Sequence, residues 1–416
     1  VVTAQKKGVG KRIQEVPIAL TAFSGDQLER QHVLNVSDLS YSIPNVTIDG
    51  SGTQKGVAKF TIRGLGVTSP EPGLDPAVGT FADGVYTGVN YGVVLDAFDL
   101  ESIEVLRGPR GLLIGRNVTG GAVLINTRLP DDEFAIHTRM SVETGLQEKV
   151  AASDEGAFVD GVLAAKLSAQ YKDDDGFFEN VTNGNDEFGT EEIYVARAAF
   201  LYTSMDDVEV VLRLETGDTD ANGSINQNNA LFNGQDVGLD NEGLQDIEWD
   251  SAILQLDYHV NFGDGTITNI LGWRQVENTV AADLDSQPTV FGFDFLSLLD
   301  QDQPGNELRY TGIFFDERWS VTAGGDYFTQ EVIYLENIVL RLINGVVLDG
   351  TVGANQDQST WGIFTSNEIT LSECLKLNLG VRYTEEEKDV EPARFIPSPV
   401  GNPETCALTT FVGFRG

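Results

Sequence analysis

Cysteine and histidine are almost missing from this chain of 416 residues. Cys374 and Cys406 are too few for a disulfide scaffold, and His32, His137 and His259 stand more than a hundred residues apart, which offers no zinc spacing. Positive charge is scarce as well: 27 Lys and Arg face 64 Asp and Glu, and a net charge of -37 repels phosphate backbones, which sets nucleic-acid binding aside. Long apolar runs are absent. The longest, 198–202, is far short of the ~18 to 20 residues a membrane helix needs. The first residues, Val1-Val2-Thr3-Ala4-Gln5, lack the basic and apolar regions of a secretory signal, so the chain is either cytosolic or already processed. No Gly-x-Ser-x-Gly elbow, Walker-type Gly-Lys-Ser/Thr or His-Glu-x-x-His helix occurs. The glycine-rich stretch 108–115 has no Lys and no following helix with which to cradle phosphate. No enzyme, cofactor or catalytic residue is expected.

What is present is glycine, alternation and an uneven charge. The 45 glycines exceed the ~7% of average usage and call for many turns. Residues 1–130 hold 12 basic and 12 acidic side chains, which leaves the whole -37 on residues 131–416. A boundary is therefore expected at Pro130-Asp131-Asp132-Glu133. Beyond it, period-2 segments recur. Leu163, Ala165, Leu167, Ala169 and Tyr171 alternate with Lys166, Ser168 and Gln170, and the same rhythm returns at 194–202, 254–260, 319–327 and 375–384. Tight turns near 204–207, 262–265, 315–318 and 372–374 alternate with long polar connections near 173–190, 218–247, 281–303 and 336–356. Short loops on one side and long loops on the other are the wiring of an up-and-down transmembrane barrel. Tyr171, Tyr194, Tyr202, Trp319 and Tyr383 would then form interfacial girdles. A soluble sandwich or propeller also alternates, but strands of ~10 to 14 residues exceed the ~5 to 6 usual in soluble sheets. About eleven strands are expected between Phe134 and Lys388.

Residues 103–127 read Ile-Glu-Val-Leu-Arg-Gly-Pro-Arg-Gly-Leu-Leu-Ile-Gly-Arg-Asn-Val-Thr-Gly-Gly-Ala-Val-Leu-Ile-Asn-Thr. Upstream stand Val16-Pro17-Ile18, Pro44-Asn45-Val46, Phe60-Thr61-Ile62-Arg63-Gly64 and Asp83-Gly84-Val85-Tyr86; downstream stand Asn306-Glu307-Leu308-Arg309 and Leu379-Gly380-Val381-Arg382-Tyr383. In order and content these resemble the TonB-dependent outer-membrane receptors, densely over the plug domain and thinly over the barrel. The resemblance implies a mainly β protein: a small α/β plug domain followed by an antiparallel transmembrane β-barrel of 22 strands, about eleven of which fall in this chain. The divisions it suggests are 1–15 (end of the TonB box and linker), 16–130 (plug) and 131–416 (barrel, incomplete at its C-terminus, where Val412-Gly413-Phe414-Arg415-Gly416 lies in a loop).

The function implied is that of a receptor in the bacterial outer membrane, surrounded by its lipid. It would bind a scarce solute, most often a ferric siderophore in this family, and admit it when TonB, with ExbB/ExbD, moves the plug. Cobalamin, oligosaccharides and aromatic compounds stay open as cargo, and a non-transporting acidic β-rich binding or adhesion protein is the rival class. Val1, Val2, Thr3 and Ala4 resemble the end of the TonB box, a segment suited to β-augmentation. Arg63 and Arg107 are expected to latch the plug to the barrel acids Glu307 and Glu386, or alternatively to hold the plug's own loops. Ser69, Pro70, Glu71, Asp75, Tyr86 and Tyr91 are expected at the ligand-facing apex.

Two local readings complete the sequence. Residues 218–225 match the start of an EF-hand loop in Asp218, Asp220, Asn222 and Gly223, but position 12 is Asn229, and turn chemistry accounts for the pattern equally well. Cys374 in a tight turn and Cys406 beyond the next strand would lie ~30 Å apart, too far for a disulfide.

Overall fold

The computed structural model describes residues 18–395 apart from 32, 34–35, 52–53, 68–72, 93–97, 144–146, 206, 288–291, 343–345 and 373. Its first part contains β1 (Leu20–Ser24), α1 (Gly25–Arg30), a 3-10 helix (Val36–Tyr41), β2 (Val46–Ser51), β3 (Gln54–Ile62), β4 (Val78–Ala82), β5 (Val85–Tyr86), β6 (Leu100–Arg107) and β7 (Gly121–Thr127). Five strands form one sheet in the order β1-β6-β7-β4-β5, and β2 pairs with β3 separately. The short α1 begins where Ser24 and Gln27 cap each other's backbone N–H groups. It places Leu28 in a core with Val36, Leu39, Ile62, Ile103, Val105 and Val123. The strands β6 and β7 are buried on both faces, which is why they read as nearly continuous apolar runs.

Two turns depend on their residue type. Asp83 (φ +46°) and Gly84 (φ +86°) close the two-residue β4–β5 hairpin, the Asp-Gly choice that positive φ at both positions favours. At Gly121 a Cβ would lie 2.1 Å from the Leu106 carbonyl oxygen, so only glycine lets β7 come so close to β6.

The second part is built on eleven strands: β8 (Ala135–Glu143), β9 (Gln147–Val159), β10 (Leu163–Asp174), β13 (Glu191–Met205), β14 (Val208–Ala221), β16 (Leu244–Val260), β17 (Gly265–Asp283), β18 (Gly292–Phe314), β19 (Trp319–Arg341), β20 (Val347–Ser372) and β21 (Leu375–Phe395). They pair antiparallel with their sequential neighbours in one sheet, matching the expected count and up-and-down order. The intervening β11 (Phe178–Asn180), β12 (Asn185–Phe188) and β15 (Asp236–Val237) make a small sheet over a buried cluster of Phe188, Val237 and Leu239.

Strand length departs from the sequence reading. β20 has 26 residues; at ~3.3 Å per residue this is about 86 Å, well beyond the ~30 Å of a hydrocarbon core. Parts of 218–247, 281–303 and 336–356, expected as polar loops, are therefore paired ribbon standing outside the membrane. These ends carry consecutive apolar residues, as at Leu298-Leu299 and Ile338-Val339-Leu340, so no clean alternation marks them as strand.

The eleven-stranded sheet is patterned inside out. Lys166, Ser168 and Gln170 are buried, whereas Leu167 is 53% and Tyr171 40% exposed. On β21 the outward Leu379 and Val381 are 52% and 65% exposed. Polar residues within and an apolar belt without is stable only against lipid. Near the tight turns Phe314, Phe315 and Trp319 pack together with ring centroids 5.1–6.4 Å apart, an interfacial anchor. Cys374 is an exposed free thiol in the β20–β21 turn, and Cys406 lies outside the described residues.

The plug–barrel seam as candidate functional site

The plug sits against the inner face of the sheet, and the two meet along walls of different chemistry. The first wall comes from β10, β13, β14 and β17, each of which turns a cation inward. Lys166 Nζ lies 2.5 Å from Asp99 of the plug and 3.7 Å from Glu155 of β9; all three side chains are at most 8% exposed. Arg213 stands 3.5 Å from Asp83, which also accepts hydrogen bonds from the Thr127 backbone and hydroxyl. Arg197 pairs with Glu215 at 2.5 Å and donates to the Phe98 carbonyl at 3.2 Å. Arg274 donates to the Val89 and Tyr91 carbonyls, and Trp249 donates its indole N–H to Glu215. Asp83 and Asp99 both have positive φ, so they sit at turn tips that carry their carboxylates to the wall.

A second ionic cluster gathers at Arg116, in the loop between β6 and β7. Its guanidinium is 3.6 Å from Asp75 and 3.4 Å from Glu386, donates to Thr360 Oγ1 at 2.9 Å, and lies over the rings of Tyr86 and Phe328. Lys388 adds a 2.9 Å contact to Asp75. Asp75 and Glu386 are 46% and 34% exposed, which leaves these pairs open to solvent screening.

The expected latch is corrected by these contacts. Glu386 meets Arg116, and Glu307 takes a hydrogen bond from Arg309 of its own strand at 2.6 Å. Arg107 instead donates to the Pro44 carbonyl at 3.3 Å. Arg63 is exposed and stands beside Gly108 and Arg110; burial, and then the Arg63 charge, lower the Arg110 guanidinium from its usual range. Arg107 thus holds a plug loop, among the described residues Arg63 meets neither Glu307 nor Glu386, and the cations that cross to plug acids come mainly from the barrel. Lys166, Arg213 and Arg116 escaped the sequence reading because their partners are distant in the chain, although the period-2 track of β10 and β14 already pointed Lys166 and Arg213 inward.

The expected ligand-facing residues also need correction. Tyr91 is 2% exposed, packed with Trp249, Val276 and Val332 between plug and sheet. Tyr86 is buried against Phe81 and Phe328 and accepts a hydrogen bond from Asn117. Both anchor the plug rather than face solute. Ser69, Pro70 and Glu71, like Val1, Val2, Thr3 and Ala4, lie outside the described residues.

The third wall is neutral. Gln303 of β18 accepts from the Gly88 N–H at 2.7 Å and donates to the Tyr86 carbonyl. Gln301 donates to Gln303 at 2.8 Å. A Cβ on Gly88 would fall within 2.7 Å of Gln301, Gln303 and Gln330, so plug backbone rests directly on carboxamides. The walls differ in how firmly they hold. Removing one partner of a buried ion pair costs about 3–5 kcal/mol, whereas removing one partner of a buried neutral hydrogen bond costs about 1–3 kcal/mol. Cavities of about 90 Å³ and 790 Å³ flank the charged wall, and both are bordered by the Asp83–Arg213 pair.

On the far side from the tight turns, Asn180, Asn183 and Asn185 donate to Glu242. Partial burial raises the Glu242 pKa, but the three donors outweigh it and the net shift is downward. The EF-hand reading does not survive as a loop, because Asp218 and Asp220 belong to β14. Asp218 faces Glu248 across the β14–β16 pair, and with Asp246 these exposed carboxylates come within 4.8 Å of one another.

Comparison with known proteins agrees with this architecture. The family model described as TonB-dependent Receptor Plug Domain matches residues 12–122, and that described as TonB dependent receptor-like, beta-barrel matches residues 160–400. Among curated proteins, the pesticin receptor of Yersinia pestis is 28% identical over 45% of this chain and 27% of its own length. The iron-regulated outer membrane virulence protein of Vibrio cholerae is 32% identical over 41% of this chain and 26% of its own length. The chain thus matches about a quarter of each of these relatives. Among solved structures, the ferric yersiniabactin uptake receptor of Yersinia pestis superposes with a TM-score of 0.78 at 18% identity, covering 96% of this chain and 60% of that one. The ferripyoverdine receptor of Pseudomonas aeruginosa gives 0.72 at 14%, over 92% and 55%. With a plug seated on an inside-out antiparallel sheet and both family models matched, this chain belongs to the TonB-dependent receptors of the bacterial outer membrane.

Proposed function

We propose that the protein takes up a ferric siderophore, bound at the outer mouth and admitted when TonB, energised through ExbB/ExbD, draws on residues 1–4 and shifts the plug. The observation that carries this reading is the seam. Among the described residues, the plug meets the inner face of the sheet through ion pairs and hydrogen bonds of graded strength. Such a plug closes the route at rest and can be displaced without breaking a bond. No bond of the solute is broken, and the chain's task is binding and passage, not catalysis. We place the plug–barrel boundary at 130/131, between the end of β7 and the start of β8.

The names of relatives support iron as cargo: besides those above, matches include a ferrioxamine receptor and a hemin receptor of Yersinia. The test is uptake by cells expressing the natural protein, supplied with radiolabelled iron as ferric yersiniabactin, ferripyoverdine, ferric catecholate or ferrioxamine, against labelled cobalamin and an oligosaccharide. Accumulation of at least one ferric siderophore, and of neither other solute, is expected. Uptake of cobalamin or oligosaccharide alone would replace the iron reading.

A further inference from the structure

One stretch of the seam, on β18–β20, meets the plug through uncharged carboxamides. It has a sequence signature that the motifs above did not use: Gln301-Asp302-Gln303 on β18 and Gln356-Asp357-Gln358 on β20, with Gln330 between them on β19. Alternation turns each glutamine inward. Gln330 stands opposite Gln358, and Val332 opposite both Gln301 and Gln356, so the five carboxamides form one continuous surface. All five are at most 6% exposed. Two of them are incompletely used: the carbonyl oxygens of Gln301 and Gln356 are buried and accept no hydrogen bond. Beside them lies a cavity of about 70 Å³, bounded by Gly73, Asp75 and Tyr86 of the plug and by Gln330, Gln356 and Gln358.

Separation has different consequences at the two inner walls. Parting Asp99 from Lys166, or Asp83 from Arg213, leaves buried charges without their counterions. Parting Tyr86 and Gly88 from Gln303 leaves neutral groups, and a carboxamide carries both donors and acceptors that can turn to its neighbours, as Gln301 already does to Gln303. Arg116, itself 8% exposed, borders this wall and reaches Thr360 of β20, but its acid partners Asp75 and Glu386 are 46% and 34% exposed, so water can replace them as the plug parts.

We propose that the solute's path runs along this carboxamide wall: the plug parts from β18–β20 while Asp83 and Asp99 stay on Arg213 and Lys166, and the freed glutamines hydrogen-bond the passing solute. The cargo class that fits is a neutral-faced solute rich in hydroxyl, amide and carbonyl groups. A strongly anionic or apolar one does not fit. This inference rests on the transport reading above.

The experiment uses the natural protein with Cys374 and Cys406 changed to Ser. Into it go, one at a time, Gln356→Cys and Gln301→Cys on the carboxamide wall and Ser168→Cys, which borders the charged wall. A sulfonated, membrane-impermeant maleimide is added outside cells during uptake of the four ferric siderophores, with and without a protonophore. Iron uptake is followed in the same cells. The expected result is energy-dependent labelling of Cys at 356 and 301, many-fold above the protonophore control, with Cys at 168 protected throughout. Labelling of 168 to the same extent, or of 168 alone, overturns the path, as does protection of all three while iron enters. Two wall positions guard against one variant failing to assemble. Absence of uptake by the unsubstituted chain would instead overturn the transport reading, and the path with it.

Discussion

Lys166→Met is expected to loosen the plug by about 3 kcal/mol, because it strands the carboxylates of Asp99 and Glu155 in a site where each is at most 8% exposed. Methionine keeps most of the volume, so the effect reports charge and not a cavity. Scanning calorimetry of the natural protein in detergent, with plug and barrel transitions resolved, should show the plug transition falling while the barrel transition holds. The double variant Lys166→Met with Asp99→Asn should recover part of the loss, since Asp99 is then no longer stranded while Glu155 still lacks the lysine. A single variant that unfolds like the parent would show that Asp99 is not held by Lys166. A double variant worse than the single would show that the lysine acts by packing.

Leu167→Arg is expected to cost about 2–4 kcal/mol of membrane-embedded stability, the range for a cation on the lipid face near the bilayer midplane. Leu167 lies midway along the apolar face of β10, between Leu163 and Tyr171, and is 53% exposed. Asp220→Arg on β14 also points outward, but among the acids beyond the apolar belt, where such a change costs under about 1 kcal/mol. Urea unfolding in lipid vesicles measures both. A soluble β-rich protein would tolerate Leu167→Arg on its wet surface, so equal stability of the two variants would remove the membrane assignment.

The contrast between these residues and the missed ones shows what a sequence can convey. Alternation is local, so the lipid face of β10 and the strand count were readable from residues two apart. The plug was readable because its signature is contiguous, and the Asp83-Gly84 hairpin declared itself through turn chemistry. The seam was not readable in the same way. Lys388 and Asp75 meet across 313 positions, and no local pattern says which inward cation finds which turn acid. Assigning Arg63 and Arg107 to Glu307 and Glu386 failed for that reason: sequence does not say that Arg63 stays exposed or that Pro44's carbonyl lies within reach of Arg107. Tyr86 and Tyr91 were misplaced because aromatic residues at an apex and aromatic residues at a packed seam look alike in sequence. The long ribbons of β18–β20 went unseen because their outer ends carry consecutive apolar residues, as at Ile338-Val339-Leu340, in place of a period-2 pattern.

The central claim, energy-coupled passage, is tested most directly by uptake of ferric siderophore into cells expressing the natural protein, with TonB present or deleted and with residues 1–4 present or removed. Uptake that disappears in each deletion, while siderophore binding at the cell surface persists, is the result expected. Uptake that continues without TonB and without residues 1–4 would contradict the account and leave a passive pore in its place.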